Sequence, residues 1–216
     1  MNRQPRAETA ASIALAGVST WVIIVVILHL VPHDDYDLVA QSISQLAHES
    51  YGFLINLGLI ALGIGGLSLA LGAYSALGRK LTVPLLLAVS SVLWIIAGVF
   101  NTGTGDPVAF QADEPALTEL IHDIGVLISL LLVLISMLVV VWQARALPGW
   151  TRFIRFNVVW VVIFVVTFAV YPMLGDDRFG VSQRIQIGAL VIWLVVLAIH
   201  VRSASVSDEQ ATARAS

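Results

Sequence analysis

Serine, histidine and carboxylate residues in the polar connections of this chain are of the types that carry nucleophilic catalysis. Ser42 and Ser44 lie in one polar segment, and His122-Asp123 follow a second one. A serine hydroxyl becomes a nucleophile when a histidine takes its proton and a carboxylate orients that histidine. These four residues are therefore candidates for the catalytic set of a hydrolase, with Asp106 as an alternative orienting group. The sequence alone does not determine whether the hydroxyl, imidazole and carboxylate groups lie within hydrogen-bond distance.

A second set of residues has the types and spacing of metal ligands. Glu119 and His122 stand three residues apart on one face of a predicted helix, and Asp106 lies in the connection before it. Di-metal carboxylate bundles use two such Glu-x-x-His pairs plus two more glutamates, whereas this chain has one pair. A single divalent metal on Asp106, Glu119 and His122 is thus the metal site to consider. The alternative is that acidic residues simply favour a helix N-terminus, and we predict no cofactor.

Arg184 is the basic residue that best fits a ligand-binding role. It follows Gln183 at the start of the last apolar run, where an arginine opposes the helix dipole and calls for an anionic partner. Asp106, Asp123 or a bound anion would supply that partner, while snorkelling of the side chain to water is the simpler alternative. The predicted ligand-binding residues are Asp106, His122, Gln183 and Arg184.

Composition determines which elements must position these residues. Of the 216 residues, 58% are apolar and 12% are charged, none is cysteine, and the mean hydropathy is +0.92. A soluble domain of this size cannot bury so much apolar surface. The lack of cysteine excludes a disulfide scaffold and a cysteine zinc site. Because the net charge is −3 and no basic stripe exists, nucleic acid is not an expected partner. A multi-pass membrane protein remains, with membrane lipids as its expected partners.

Six long apolar runs are predicted to cross the membrane as helices. Each approaches the roughly 20 residues that a crossing helix needs, and strand-like alternation is absent. The sequence thus predicts an all-α, six-transmembrane-helix bundle that forms one domain at 10–202, after a short N-terminal segment at 1–9 and before a disordered tail at 203–216. The predicted spans are 10–31, 53–77, 82–101, 120–142, 154–174 and 183–201.

The orientation follows from the sorting of charge between the connections. With the N-terminus in the cytoplasm, the cytoplasmic side holds nine of the eleven basic residues and only three acids. The opposite side then holds Arg178 and Arg184 against eleven acids. Basic residues concentrate on the cytoplasmic side of membrane proteins. We therefore expect both termini in the cytoplasm and the chain in the plasma membrane.

The connections and the helix surfaces carry further local predictions. Asp37 is expected to cap a short amphipathic helix that lies at the outer membrane surface. Ala61 and Gly65 form a small-xxx-small pair, which indicates close packing of the second span. Asn56, Asn101, Asn157 and Thr167 are expected to form hydrogen bonds between helices.

Several short motifs resemble those of a known family. They are Tyr36-Asp37 with Gln41-Ser42-Ile43-Ser44-Gln45-Leu46, a glycine-rich second span, Asp106-Pro107, His122, and Gly180-Val181-Ser182-Gln183-Arg184. In this order they resemble the bacterial and archaeal membrane proteins grouped as domain of unknown function 998. The resemblance implies a six-helix membrane protein and brings no established reaction.

Two functions remain open at this point. One is a binding or accessory protein with a polar pocket at the extracytoplasmic face, for a lipid head group, a small ligand or a partner protein. The other is an intramembrane hydrolase that acts on a lipid or cell-envelope substrate. A transporter is disfavoured because the middle of every span lacks charged residues.

Overall fold

Six long helices make up most of the chain. The computed structural model describes residues 4–33, 36–102, 116–170, 173 and 176–215. The helices are α1 (Gln4–Leu30), α2 (Phe53–Ala76), α3 (Thr82–Val99), α4 (Leu117–Ala144), α5 (Thr151–Val170) and α6 (Phe179–Ala215). Within the described residues there is no strand, and all six predicted runs are helical. Each helix has a stretch long and apolar enough to cross a membrane, so the chain is a multi-pass membrane protein of the predicted class.

Two local predictions differ from the structure. α6 continues to Ala215, through the segment that was expected to be a disordered tail. The segment after Asp37 is not an amphipathic helix: Asp37 Oδ1 accepts hydrogen bonds from the N–H groups of Val39 and Ala40, at 2.7 and 3.3 Å, and closes a turn. A separate 3₁₀ helix, Ile43–His48, follows. Side chain-to-backbone bonds of this kind compete with helix formation.

Small residues let α2 approach its neighbours closely, as predicted. A Cβ atom on Gly17 of α1 would lie 2.9 Å from the Cα atom of Gly65 of α2 and even closer to the Ala61 carbonyl oxygen. On the other side of α2, a Cβ atom on Gly63 would lie 2.6 Å from the Ser91 carbonyl oxygen of α3. Both crossings therefore depend on backbone contact that a larger residue would prevent.

Buried polar side chains join the remaining helices. The hydroxyl oxygens of Ser90 in α3 and Ser129 in α4 are 2.7 Å apart. Asn157 of α5 donates to the Met137 carbonyl oxygen of α4 and accepts from Trp193 Nε1 of α6, both at 2.7 Å. Asn56 of α2 donates to Asn101, two residues after the end of α3, and Thr167 of α5 donates to Gln186 of α6. The four expected polar residues thus all form such bonds.

The helices form a closed arrangement because α1 packs against both α2 and α6. We call one end of the bundle the cap end: it carries the 31–52 connection, the last turns of α1 and α3 and the first turns of α2, α4 and α6. At the opposite end, Glu8 and Arg202 form an exposed ion pair between α1 and α6, with 3.4 Å between oxygen and nitrogen. The described site candidates lie at the cap end: Ser42, Ser44, Glu119, His122, Asp123, Gln183 and Arg184.

Candidate functional site

The first turn of α6 is capped by the 38–41 segment, and this contact places Arg184. The N–H groups of Gly180 and Val181 donate to the carbonyl oxygens of Ala40 and Val39, both at 3.1 Å. These N–H groups belong to the helix start, where no partner exists within the helix. A Cβ atom on Gly180 would lie 2.9 Å from the Leu38 carbonyl oxygen and closer still to that of Gln41, so this approach of the backbone requires glycine.

Arg184 is half-buried and donates three hydrogen bonds across the cap end. Its Nε–H donates to His29 Nε2 at 3.1 Å, Nη1 to the Gln41 carbonyl oxygen at 2.9 Å, and Nη2 to the Tyr36 hydroxyl at 2.5 Å. His29 Nδ1 lies 2.7 Å from the Val25 carbonyl oxygen, to which it donates. That contact leaves His29 Nε2 as the acceptor for arginine. The guanidinium thus ties α6 to α1 and to the connection between α1 and α2.

Tyr36 works as both acceptor and donor in this cluster. Its hydroxyl accepts from Arg184 and donates to the Ser42 carbonyl oxygen at 2.8 Å. Burial raises the pKa of Tyr36 above its usual value, and the nearby Arg184 charge opposes part of that rise. The phenol therefore keeps its proton at neutral pH and can keep donating to Ser42.

The positive charge of Arg184 has no carboxylate partner among the described residues. Asp123, an expected partner, instead accepts a hydrogen bond from Thr102 Oγ1 at 2.9 Å. Asp106 lies outside the described residues. Glu49 contacts His33, with 3.5 Å between Oε2 and Nδ1. The described contacts of Arg184 are all with neutral acceptors, and an anionic partner for it stays a prediction.

Ser42 and Gln183 have structural contacts in the cap. Ser42 Oγ accepts from the Gln45 N–H at 3.2 Å, and Gln45 Oε1 accepts from the Ser42 N–H at 2.7 Å. This reciprocal capping box begins the 3₁₀ helix. Gln183 Oε1 accepts from the Ile43 N–H at 2.8 Å and holds the same helix against α6. Their predicted catalytic and ligand-binding roles stay predictions.

His122 forms a second polar cluster, between α3 and α4. It is 2% exposed, and its Nδ1 lies 2.7 Å from the carbonyl oxygens of both Ala97 and Phe100. These carbonyls end α3, where acceptors lack partners within the helix. His48 Nε2 contacts the Thr102 carbonyl oxygen at 2.7 Å and links the 3₁₀ helix to this cluster. His122 Nε2 is buried without a partner in the described part of the chain.

Hydrogen bonds among the described residues do not join the predicted catalytic set, and the predicted metal set includes Asp106, which lies outside those residues. Neither Ser42 nor Ser44 has a described hydrogen bond to a histidine, so the pairing of nucleophile and base stays a prediction. Glu119 Oε2 accepts from the Ala116 N–H at 3.3 Å at the start of α4. In the described residues, no group of three or more His, Cys, Asp or Glu side chains is arranged to hold a metal ion.

Comparison with known proteins assigns the chain to a family. Residues 14–200 match the family described as "Protein of unknown function (DUF998)". The chain belongs to the DUF998 family. No curated protein and no solved structure matches it. In this DUF998 protein, two of the motifs that carried the resemblance are in contact, because Tyr36 and Gln41 both accept hydrogen bonds from Arg184.

Sequence reasoning missed His29 as a partner of Arg184. His29 lies one residue before the end of α1, and no motif in the sequence marks it as a partner. Tyr36 was noted only as part of a motif. The scarcity of charged residues could have identified these partners. A half-buried arginine needs hydrogen-bond acceptors, and His29 and Tyr36 are side chains at the matching end of α1 that can accept.

Proposed function

We propose that this DUF998 protein is a membrane-embedded binding protein that holds a phosphate group, that of a lipid head group, at Arg184. The observation that supports it is the half-buried Arg184 guanidinium, whose described partners are all uncharged. A cation removed from water without an opposite charge favours a bound anion. Among anions, phosphate is the one that membrane lipids present at the ends of the spans.

The hydrogen-bonding capacity of Arg184 is compatible with this ligand. A guanidinium has five N–H donors. Described residues use one on Nε, one on Nη1 and one on Nη2. One N–H is left on each terminal nitrogen, and arginine can bind two phosphate oxygens in parallel.

The expected orientation supports a position at the extracytoplasmic head-group region. The charge distribution favours the extracytoplasmic side for the cap end. The α1 span ends at Leu30, and the α6 span begins at Phe179. Arg184 therefore lies in α6 near the cap-end edge of the membrane-spanning region. A lipid head group reaches this depth, and so would a small phosphate ligand.

Native mass spectrometry of the purified chain tests the proposal. We expect adducts with phosphatidylglycerol, and roughly ten- to a hundred-fold weaker binding in Arg184→Lys, which keeps the charge but loses the planar fork. Arg178→Lys is the matched control, because the Arg178 side chain is 64% exposed and contacts Asp177. Inorganic phosphate added as a competitor distinguishes a free phosphate ligand from a lipid.

The mass-spectrometry experiment has three distinguishable outcomes. Loss of the lipid adduct in Arg184→Lys, with the thermal transition retained, supports the proposal. Displacement by inorganic phosphate at low concentration assigns the site to a free phosphate. Equal adducts in Arg184→Lys, Arg178→Lys and the unmodified chain overturn phosphate binding at Arg184.

A further inference from the structure

A small cavity lies inside the bundle near the cap end. Its volume is about 10 Å³, and residues of α1, α2, α3, α4, α6 and the 3₁₀ helix line it. Most of the lining is aliphatic or aromatic. Trp21 of α1, Ser44 of the 3₁₀ helix and Gln183 of α6 are the lining residues with polar side-chain atoms, apart from a second indole at Trp94. Three separate elements therefore contribute residues with polar atoms to the lining of this cavity.

Trp21 gives this cavity an unusual property. Its side chain is 5% exposed, and its Nε1–H is buried without a hydrogen-bond partner in the described part of the chain. Two other buried or half-buried indoles are satisfied: Trp160 Nε1 donates to the Ala189 carbonyl oxygen and Trp193 Nε1 to Asn157, both at 2.7 Å. A buried indole N–H normally finds an acceptor. Because Trp21 lines the cavity, an acceptor bound there would satisfy this N–H.

The position of the indole agrees with this interpretation. A Cβ atom on Gly58 of α2 would lie 3.2 Å from Trp21 Cδ1, the ring atom bonded to Nε1. The polar edge of Trp21 thus faces α2 at Gly58. Ile55 and Leu59 of α2, on either side of Gly58, both line the cavity.

We propose that this cavity binds one water molecule, which accepts the Trp21 Nε1–H and hydrogen-bonds to Ser44 and Gln183. A volume of about 10 Å³ is the size that admits a single water, and a buried water takes two to four polar partners. A lipid chain or a larger ligand does not fit this volume. The water connects α1, the 3₁₀ helix and α6, and it orders the residue that directly precedes Arg184.

The test observes the indole N–H of Trp21 by NMR in lipid nanodiscs, with ¹⁵N-labelled tryptophan and Trp21→Phe to assign the signal. We expect a cross-peak between the Trp21 indole proton and a water proton. Trp193 is the internal control, because its Nε1–H is bonded to Asn157 and its side chain is fully buried. Its indole proton should show no such cross-peak.

Two variants test whether the water occupies this cavity. Val126→Ile adds a methyl group at the lining and should remove the Trp21 cross-peak while the Trp193 signal stays in place. Ser44→Ala removes one water partner with little change in volume, so the cross-peak should weaken even if Val126→Ile does not fold. A Trp21 indole proton without a water cross-peak overturns the proposal. So does a cross-peak that both variants leave unchanged.

Discussion

Arg184 Nη2 donates a 2.5 Å hydrogen bond to the hydroxyl of Tyr36, a residue 148 positions earlier in the chain. The same hydroxyl donates to the Ser42 carbonyl oxygen at the start of the 3₁₀ helix. One phenol therefore connects the last helix to the cap that covers it. Because one partner is charged, this contact belongs to the stronger class of hydrogen bonds.

Replacing Tyr36 with phenylalanine should destabilise the protein by about 1.5–3 kcal/mol, since a hydrogen bond to a charged group is lost. The ring itself, which lies edge-on to His33 with 5.7 Å between centroids, is kept. Reversible unfolding in detergent measures the change. Tyr51→Phe is the control, because Tyr51 is 64% exposed and should lose almost nothing. Equal stabilities of the two variants would show that the Tyr36 hydroxyl contributes little.

Tyr36 should also titrate at higher pH than an exposed tyrosine. Burial raises its pKa above the ordinary value of about 10, so the folded state holds the phenol proton more tightly than the unfolded state does. The stability that this group adds is complete below pH of about 10 and is lost as pH rises through the folded-state pKa. The difference in phenolate absorbance between the unmodified chain and Tyr36→Phe reports this titration. A transition at or below the ordinary pKa contradicts the prediction.

Gly17→Ala should destabilise the α1–α2 crossing. The added Cβ atom would meet Ala61 and Gly65 backbone atoms, and overpacking of this kind costs about 1–3 kcal/mol. Gly188→Ala is the matched control within α6, because its Cβ atom would meet nothing within 4 Å. There the gain in helix propensity, about 0.5–1 kcal/mol, should dominate. Thermal unfolding of both variants checks the signs, and a stabilised Gly17→Ala would mean that the helices can separate without cost.

The proposed orientation can be tested with single cysteines, since the chain has none of its own. Asp177 is 78% exposed at the cap end. Ser203 is exposed at the opposite end of the bundle, where the α6 span Phe179–Ala204 ends. In intact cells, a membrane-impermeant maleimide should label Asp177→Cys and not Ser203→Cys. After lysis both should react. The reverse pattern in intact cells would place the cap end in the cytoplasm.

The six helices could be predicted because length and apolar composition alone decide whether a segment crosses a bilayer. The contacts of Arg184 could not. Its acceptors, His29 and Tyr36, come from the end of α1 and the turn beyond it. That turn forms because Asp37 bonds to backbone N–H groups within its own segment. Apolar periodicity carries no information about bonds of this kind. It therefore predicted one amphipathic helix instead of a turn and a 3₁₀ helix.

His122 shows a different limit of the sequence. The sequence places it at the start of the fourth predicted span, and the structure buries it there. Which atoms it meets depends on where α3 ends, and the Ala97 and Phe100 carbonyl oxygens became its acceptors because α3 stops at Val99. Spacing along one helix cannot supply that information.

Contacts between α1 and α6 at both ends of the bundle constrain the order of assembly. His29 and Arg184 are 155 positions apart, and Glu8 and Arg202 are 194 positions apart. Both contacts therefore form only after α6 has been made. At ordinary rates of synthesis the interval is on the order of 10 s. During that time α1 can pack on α2, while one flank of α1 stays open to lipid or to helper proteins. A chain that stops before α6 therefore lacks the contacts that close the bundle at both ends.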